Sequence, residues 1–427
     1  MPSTVNGHAL TLLNRFAQAD WPDYLKVRKP FENLVCSGAR SGFKIAARRS
    51  SRAQPALALA DSSALFDLSL SDEQKMLVEM LERFASEVLR KEACAADEQA
   101  TVTAQLHTQM AELGLVHYAV SELHGGLAGE RTVLTNALMA ETLAKGDMSL
   151  AASMLLPLSG ANCVRRWGSA RQQAQWLPRF LSETDRPEMA IAVNEPQTLF
   201  NPLKLATRAK RKTRHYVLNG EKCLVVGGLA ASHFIVAANT ADGPALFIVD
   251  ALSKGLERKA DPAMGLKATG TCRMRLSAVK VPLEARLSAD DFNYRSFLDY
   301  SELAWCALAV GTAQAALDYV IPYCNERIAF AEPISHRQGV AFMIADMAIE
   351  IDAMRLMIWN ACSLAERGKP FQRASYLSHL LCAEKTMKIA TDAVQLLGGH
   401  GFTKDHPVER WYRDIRALAV IKGGLQL

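Results

Sequence analysis

The sequence predicts an α+β protein built in three successive parts: a helical segment, a β-rich middle and a second helical segment. Two changes of pattern carry this. Apolar residues at helical spacing run to about Leu181, and from Pro187 they give way to short β-type runs broken by Gly, Asn and Pro. After about Asp291 the helical stripes return. The parts fall at 1–65 (a basic extension and linker), 66–186 (helical), 187–290 (β) and 291–427 (helical).

Residues 1–50 are helical in character. They lack the basic start, continuous apolar core and cleavage site of a signal peptide. GARSGFKIAARRSSR, Gly38–Arg52, is basic and free of acids. Its plainer reading is a solvated basic helix. The sharper one is contact of residues 38–52 with an anionic membrane surface or a partner, and a transit peptide is the weakest, because the basic part lies far from Met1. Ser50–Ala64 reads as a linker. A strong helix then begins at Ser71, which stands with Gln74 in capping-box positions ahead of Leu77, Leu81, Phe84 and Val88 on one face. Trp167, Trp176 and Leu177 read as core.

In the middle part, EMAIAVNEP, HYVLNGEKCLVVGG, ASHFIVAANT and PALFIVDA have the length and composition of strands. RAKRKTRHY, Arg208–Tyr216, reads as a solvated hairpin tip, with a phosphate contact as the alternative. In the last part Leu303, Cys306, Val310, Leu317 and Val320 form one stripe, and Val340, Ile344, Met347, Ile351, Met354 and Ile358 another. A third helix leads through Ala390, Val394 and Leu397 into GGHG.

Composition narrows the function classes. The chain has 49 Lys/Arg and 44 Asp/Glu, and residues 1–65 hold nine and four of them, which accounts for the whole excess. A neutral body argues against nucleic-acid binding. The nine cysteines form no C-x-x-C pair and have no His at metal-ligand spacing, so no metal is expected and a reducing, cytoplasmic compartment is. No apolar run approaches the length of a membrane span.

VQLLGGHGFTKDHPVERWYRDIRALAVIKGG, with NERIAFAEPISHRQGVAFMIADMA and MGLKATGTCRM, resembles the signature of the acyl-CoA dehydrogenase family, over roughly residues 66–427. The resemblance implies a middle β-barrel or sandwich and a C-terminal four-helix bundle. It also implies a homo-oligomer (dimer or tetramer), bound FAD, oxidation of an acyl-CoA to its 2,3-enoyl product, and electron-transfer flavoprotein as an acceptor. By the same resemblance Arg327 and Gln338 hold FAD phosphate and adenosine groups across a subunit boundary, together with Gln395, Gly398 and Gly399. Side-chain-free glycines after a helix let a backbone approach a pyrophosphate closely. Val193, Asn194, Val225, Val226 and Gly424 fall at the positions that meet the flavin.

The departures from the pattern bear on chemistry. The family's base is a Glu just before the turn glycine; here Lys422 stands there, and an ammonium is a poor proton acceptor. The backbone N–H at this position, which the family uses to polarise the thioester carbonyl, is kept. Some members place the base on the first helix of the last part, at a position that falls on Ser301. Glu302 follows it, where the family more often has Arg, and one helical step is about 100° of rotation. The family's TEPGxGSD reads NEPQTLFNP, its aromatic–Ile–Thr strand reads LVV, and Gly424 replaces a Thr. The family continues beyond this turn into a last helix, whereas this sequence ends at Leu427. The leading expectation is an acyl-CoA dehydrogenase-type flavoprotein with Glu302 as substitute base. The alternatives are a catalytically silent subunit or scaffold, in a hetero-oligomer with an active homologue, and a flavin-dependent monooxygenase that needs no Glu.

Overall fold

The computed structural model of the protein describes residues 69–129 and 132–427. The expectations for the basic extension, including membrane contact through residues 38–52, lie outside the described residues. The first helices are α1 (Asp72–Phe84), which passes through a π-helical turn into α2 (Arg90–Gln99), and α3 (Ala104–Glu112). The capping box at the start of α1 is formed. Gln74 N donates to Ser71 Oγ at 3.1 Å and Ser71 N donates to Gln74 Oε1 at 3.0 Å, satisfying two donors that the first turn leaves over. Then come α4 (Thr132–Ala144), α5 (Met148–Met154), α6 (Leu156–Trp167) and α7 (Ala170–Phe180). Trp167, Trp176 and Leu177 are buried, as their apolar bulk requires.

Seven strands follow: β1 (Met189–Ala192), β2 (Arg208–Arg211), β3 (His215–Val225), β4 (His233–Thr240), β5 (Gly243–Asp250), β6 (Leu256–Ala260) and β7 (Cys272–Pro282). They form one sheet in the order β1-β4-β2-β3-β7-β6, with β5 on β4. The pairing is mostly antiparallel. Only the contacts of β1 and β2 with β4 are parallel, and β1 and β2 take successive stretches of β4, at His233–Val236 and Asn239. The exposed turn of the β2–β3 hairpin is residues 212–214; the rest of Arg208–Tyr216 lies in the two strands, with Ala209 and Tyr216 buried, so only part of the stretch is the solvated tip expected.

The last part is carried by α8 (Tyr294–Glu326), α9 (Gln338–Glu366) and α10 (Gln372–Leu396), followed by α11 (Val408–Ile415) and α12 (Ala417–Val420). α8 is long and apolar enough to cross a membrane, contrary to the reading that no stretch comes near that length. However, 78% of its apolar window is buried inside the protein, so it is the core helix around which the others pack. It comes very near to α4: a methyl placed on Gly311 would lie 1.9 Å from Glu141 O. The two backbones touch there because Gly311 has no side chain. Residues 68–427 form one compact unit.

A charged network anchors the end of the chain. Arg410 Nε reaches Asp147 at 2.9 Å, and Arg413 grips Asp97 with both terminal nitrogens at 2.9 and 2.8 Å. Asp414 Oδ1 accepts from Leu266 N at 2.6 Å. α11 is thereby tied to α5, α2 and the loop before β7, which fixes where the chain emerges at Ile421. Burial, with Asp147 nearby, pushes the Asp414 carboxyl up to about 8. The folded state therefore holds a proton that the unfolded chain gives up near pH 4, so stability falls as pH rises from about 4 to about 8. We expect Asp414→Asn, which keeps the bond to Leu266, to flatten this fall in urea titrations run at several pH values. A wild-type slope unchanged in the variant would contradict the assignment.

Candidate active site

The C-terminal turn is held between the sheet and the helices. Asn194, just after β1, clamps it from one side: Lys422 N donates to Asn194 Oδ1 at 2.6 Å, and Asn194 Nδ2 donates to Val420 O at 3.1 Å. Trp305 of α8 holds it from the other, its indole N–H donating to Gly423 O at 2.7 Å. A methyl on Gly423 would lie 2.3 Å from Val193 Cγ2, and its φ of +72° is a left-handed conformation that a side chain disfavours. The glycine pair is thus needed for the close approach of this turn to the sheet. Beyond it, Gln426 is bonded by Ser159 and Asn162 and donates to Phe297 O at 2.8 Å.

Beneath the clamp lies a buried ion pair. Lys222 Nζ donates to Glu195 Oε1 at 2.9 Å and to Val193 O at 3.0 Å, and Glu195 also accepts from Ala206 N and Thr207 N. Burial lowers the Lys222 ammonium to about 8 even though Glu195 favours its charge. The carboxylate is held below its ordinary range by Lys222 and these donors, against the opposing effect of burial.

The side chain of Lys422 leaves the turn toward α8 and α10. Its Nζ stands 2.7 Å from His379 Nε2 and 3.7 Å from Glu302 Oε1. The Glu302 and Lys422 side chains are 15% and 20% exposed, so the pair is largely sheltered from solvent. Burial, then the Lys422 charge, push His379 down to about 4, which makes it neutral at physiological pH. An ammonium only donates, so His379 Nε2 is the acceptor and its proton sits on Nδ1. Two buried atoms around this group have no hydrogen-bond partner: Glu302 Oε2 and His379 Nδ1. Ser301, the residue in the alternative base register, is fully buried with an unpartnered hydroxyl.

The remaining expected residues divide into two sets. Val193, Asn194, Val225, Val226 and Gly424 are buried on the sheet side of the turn; a methyl on Gly424 would lie 3.4 Å from Trp305 and 3.7 Å from Val226. Arg327, Gln338, Gln395, Gly398 and Gly399 are exposed. Arg327 and the glycine turn lie close together: Tyr323, one helical turn before Arg327, donates to Leu397 O at 3.5 Å and meets His400 Nδ1 at 3.2 Å.

The chain matches the acyl-CoA dehydrogenase N-terminal domain over residues 71–184, the middle domain over 190–279 and the C-terminal domain over 294–426. It is 30% identical over 368 residues to the cyclohex-1-ene-1-carbonyl-CoA dehydrogenase of Geobacter metallireducens, covering 84% of this chain and 96% of that one. The chain belongs to the acyl-CoA dehydrogenase family. Among solved structures, butyryl-CoA dehydrogenase from Megasphaera elsdenii superposes with a TM-score of 0.76 at 27% identity, covering 84% of this chain and 96% of that one. An FAD complex of PigA does so with a TM-score of 0.76 at 25% identity and the same coverage. Acyl-CoA dehydrogenases are flavoprotein oxidoreductases, and oligomerisation is typical of them.

Set against the family pattern, the charges at the centre are reversed. Where the sequence resemblance implies Glu at the turn and more often Arg on the helix, this chain has Lys422 and Glu302, and the two meet. The backbone N–H expected to polarise a carbonyl is not free for that task, because Asn194 already takes it. That replacement for Thr in the TEP motif supplies the side-chain acceptor.

The diphosphate end of an FAD site fits what is present. Arg327 makes no ion pair among the described residues, and nothing lies within 4 Å of a methyl placed on Gly398 or Gly399. Gly401 differs: its methyl would lie 2.3 Å from Val394 O, so that glycine serves packing. At the ring end the expected residues lie against one another and against Trp305. Arg327→Ala is expected to lower the flavin content of purified protein several-fold; unchanged content would refute this placement.

His379 and Trp305 were not among the expected site residues. The spacing Glu302–Trp305, three apart on a helix, is the signal that puts Trp305 on the same face. His379 carries no such mark, since its partner is 43 residues away.

Proposed function

We infer that this acyl-CoA dehydrogenase-like oxidoreductase catalyses α,β-dehydrogenation of an acyl-CoA thioester, with Glu302 as the base. The carrying observation is that Glu302 reaches the side chain at the family's base position while its Oε2 has no hydrogen bond. A carboxylate with an unspent oxygen, partly sheltered from water, is equipped to take a carbon-bound proton. FAD, when bound, supplies the hydride acceptor. Arg327, Gln338 and the Gly398–Gly399 turn would hold its diphosphate and adenosine end, from a neighbouring subunit.

A cavity of about 470 Å³ lies at the N-terminal end of α8, the helix that carries Glu302. It is lined by Arg166, Asn293, Tyr300, Lys369 and Phe371. The Arg166 guanidinium stacks 3.6 Å over the Tyr300 ring. Two cations against one carboxylate, Asp291, suit the phosphates of a CoA thioester. Exposed Phe342, Ile349 and Leu356 on α9, with Tyr376 and Leu380 on α10, support a homo-oligomer. Butyryl-CoA added anaerobically to the purified flavoprotein should bleach its flavin absorbance and yield the 2,3-enoyl thioester.

One set of observations favours a second reading, a silent subunit of the same fold. The residues expected around the flavin ring are buried against one another, and the Lys422 N–H is taken. Purified protein with no flavin, and none gained on incubation with FAD, would support that reading and remove the first.

A further inference from the structure

We propose that Lys422 is a catalytic residue whose ammonium stabilises the thioester enolate formed when Glu302 removes the α-proton. The proposal rests on the acyl-CoA reading above and assigns the turn position a task opposite to proton abstraction. It begins from a vacancy in the machinery. Enolisation places negative charge on the thioester oxygen, and a donor aimed at that oxygen is worth more in the transition state than in the ground state. The backbone donor of the turn is spent on Asn194 at 2.6 Å.

The side chain supplies what the backbone cannot. Lys422 Nζ has three N–H donors, and one goes to His379 Nε2 at 2.7 Å. Glu302 Oε1, at 3.7 Å, is close enough for an ion pair but too far for a hydrogen bond, so Nζ keeps donor capacity toward the Glu302 side. Glu302 makes no hydrogen bond through Oε2. The carbonyl oxygen and α-carbon of a thioester are separated by one bond on either side of the carbonyl carbon. A cation and a carboxylate side by side, 3.7 Å apart, match those two groups when the thioester lies against the pair. His379 is neutral, so it orients Nζ without adding a competing positive charge.

The step balances without an oxidant. The α C–H bond breaks and its proton goes to the Glu302 carboxylate. Its electron pair forms the C=C bond of the enolate, and the carbonyl π pair moves to oxygen beside Nζ. Reversal in D2O returns deuterium to the α-carbon.

The experiment is deuterium incorporation at C2 of butyryl-CoA in D2O, followed by mass spectrometry, with the full chain and no electron acceptor. Wild type should exchange above the protein-free control. Lys422→Met should exchange more slowly by on the order of 10², the cost of losing one oxyanion donor. Lys422→Arg, which keeps the cation, should recover part of the loss, and His379→Asn, which loosens the hold on Nζ but leaves the cation, should lose less than Lys422→Met does. A purely structural role for Lys422 would not produce the Met–Arg split at matched thermal midpoints. Exchange by Lys422→Met at the wild-type rate overturns the proposal, as does absence of exchange in wild type. Exchange in wild type without flavin bleaching would instead remove the dehydrogenase reading and leave this one standing.

Discussion

Glu302→Gln should abolish most flavin reduction by acyl-CoA, lowering its rate by about 10²–10⁴, the range for losing a positioned general base. The glutamine is isosteric and stays beside Lys422, so the fold should not suffer. It even relieves one buried carboxyl, because Asp299, one helical turn earlier on α8, is pushed up to about 6 mainly by burial and further by the Glu302 charge. Flavin content and thermal midpoint should therefore stay near wild type while reduction fails. Stopped-flow absorbance at matched flavin occupancy reads this directly. A variant reduced as fast as wild type would show that Glu302 is only the ion-pair partner of Lys422.

The largest stability effect is expected at Lys222→Met. The lysine is fully buried, and its removal leaves Glu195 as a buried carboxylate without its cation. Breaking one side of such a pair costs about 3–5 kcal/mol. Val193 O loses a donor as well, and the Val193–Asn194 segment clamps the Lys422 turn. The damage should therefore reach the site. Denaturant midpoints should fall sharply for Lys222→Met and recover in part for Lys222→Met with Glu195→Gln, which removes the stranded charge. A single variant within 1 kcal/mol of wild type, on the order of a surface change, would contradict this account.

What the sequence disclosed follows the range of the interactions. The capping box at Ser71 and Gln74 was legible because both partners lie within one turn. The three-part order was legible because hydrophobic period changes with secondary structure. The β2–β3 hairpin was legible from its run of cations between strand-like stretches. The site was legible only as far as the family resemblance named positions. Asn194 and Lys422 are 228 residues apart, and nothing in either neighbourhood announces that the Asn side chain takes the turn's N–H. The phase of α8 was also hidden. Register favoured Ser301, which is fully buried with no partner for its hydroxyl, while Glu302 meets Lys422 because the lysine side chain is long enough to come to it. The apolar length of α8 went unrecognised in the sequence; a central core helix and a membrane span share composition and differ only in what surrounds them.

If Glu302 carries dehydrogenation with the charges of the family's pair reversed, wild type and Lys422→Glu should differ in one direction. The most direct test is anaerobic flavin bleaching by butyryl-CoA in wild type beside Lys422→Glu at equal flavin occupancy. Bleaching is expected in wild type, and a lower rate in Lys422→Glu, where two carboxylates face each other with no cation between them. A wild-type flavin that stays oxidised, beside a Lys422→Glu flavin that is reduced, would contradict it. The chain would then be a dehydrogenase scaffold lacking its base.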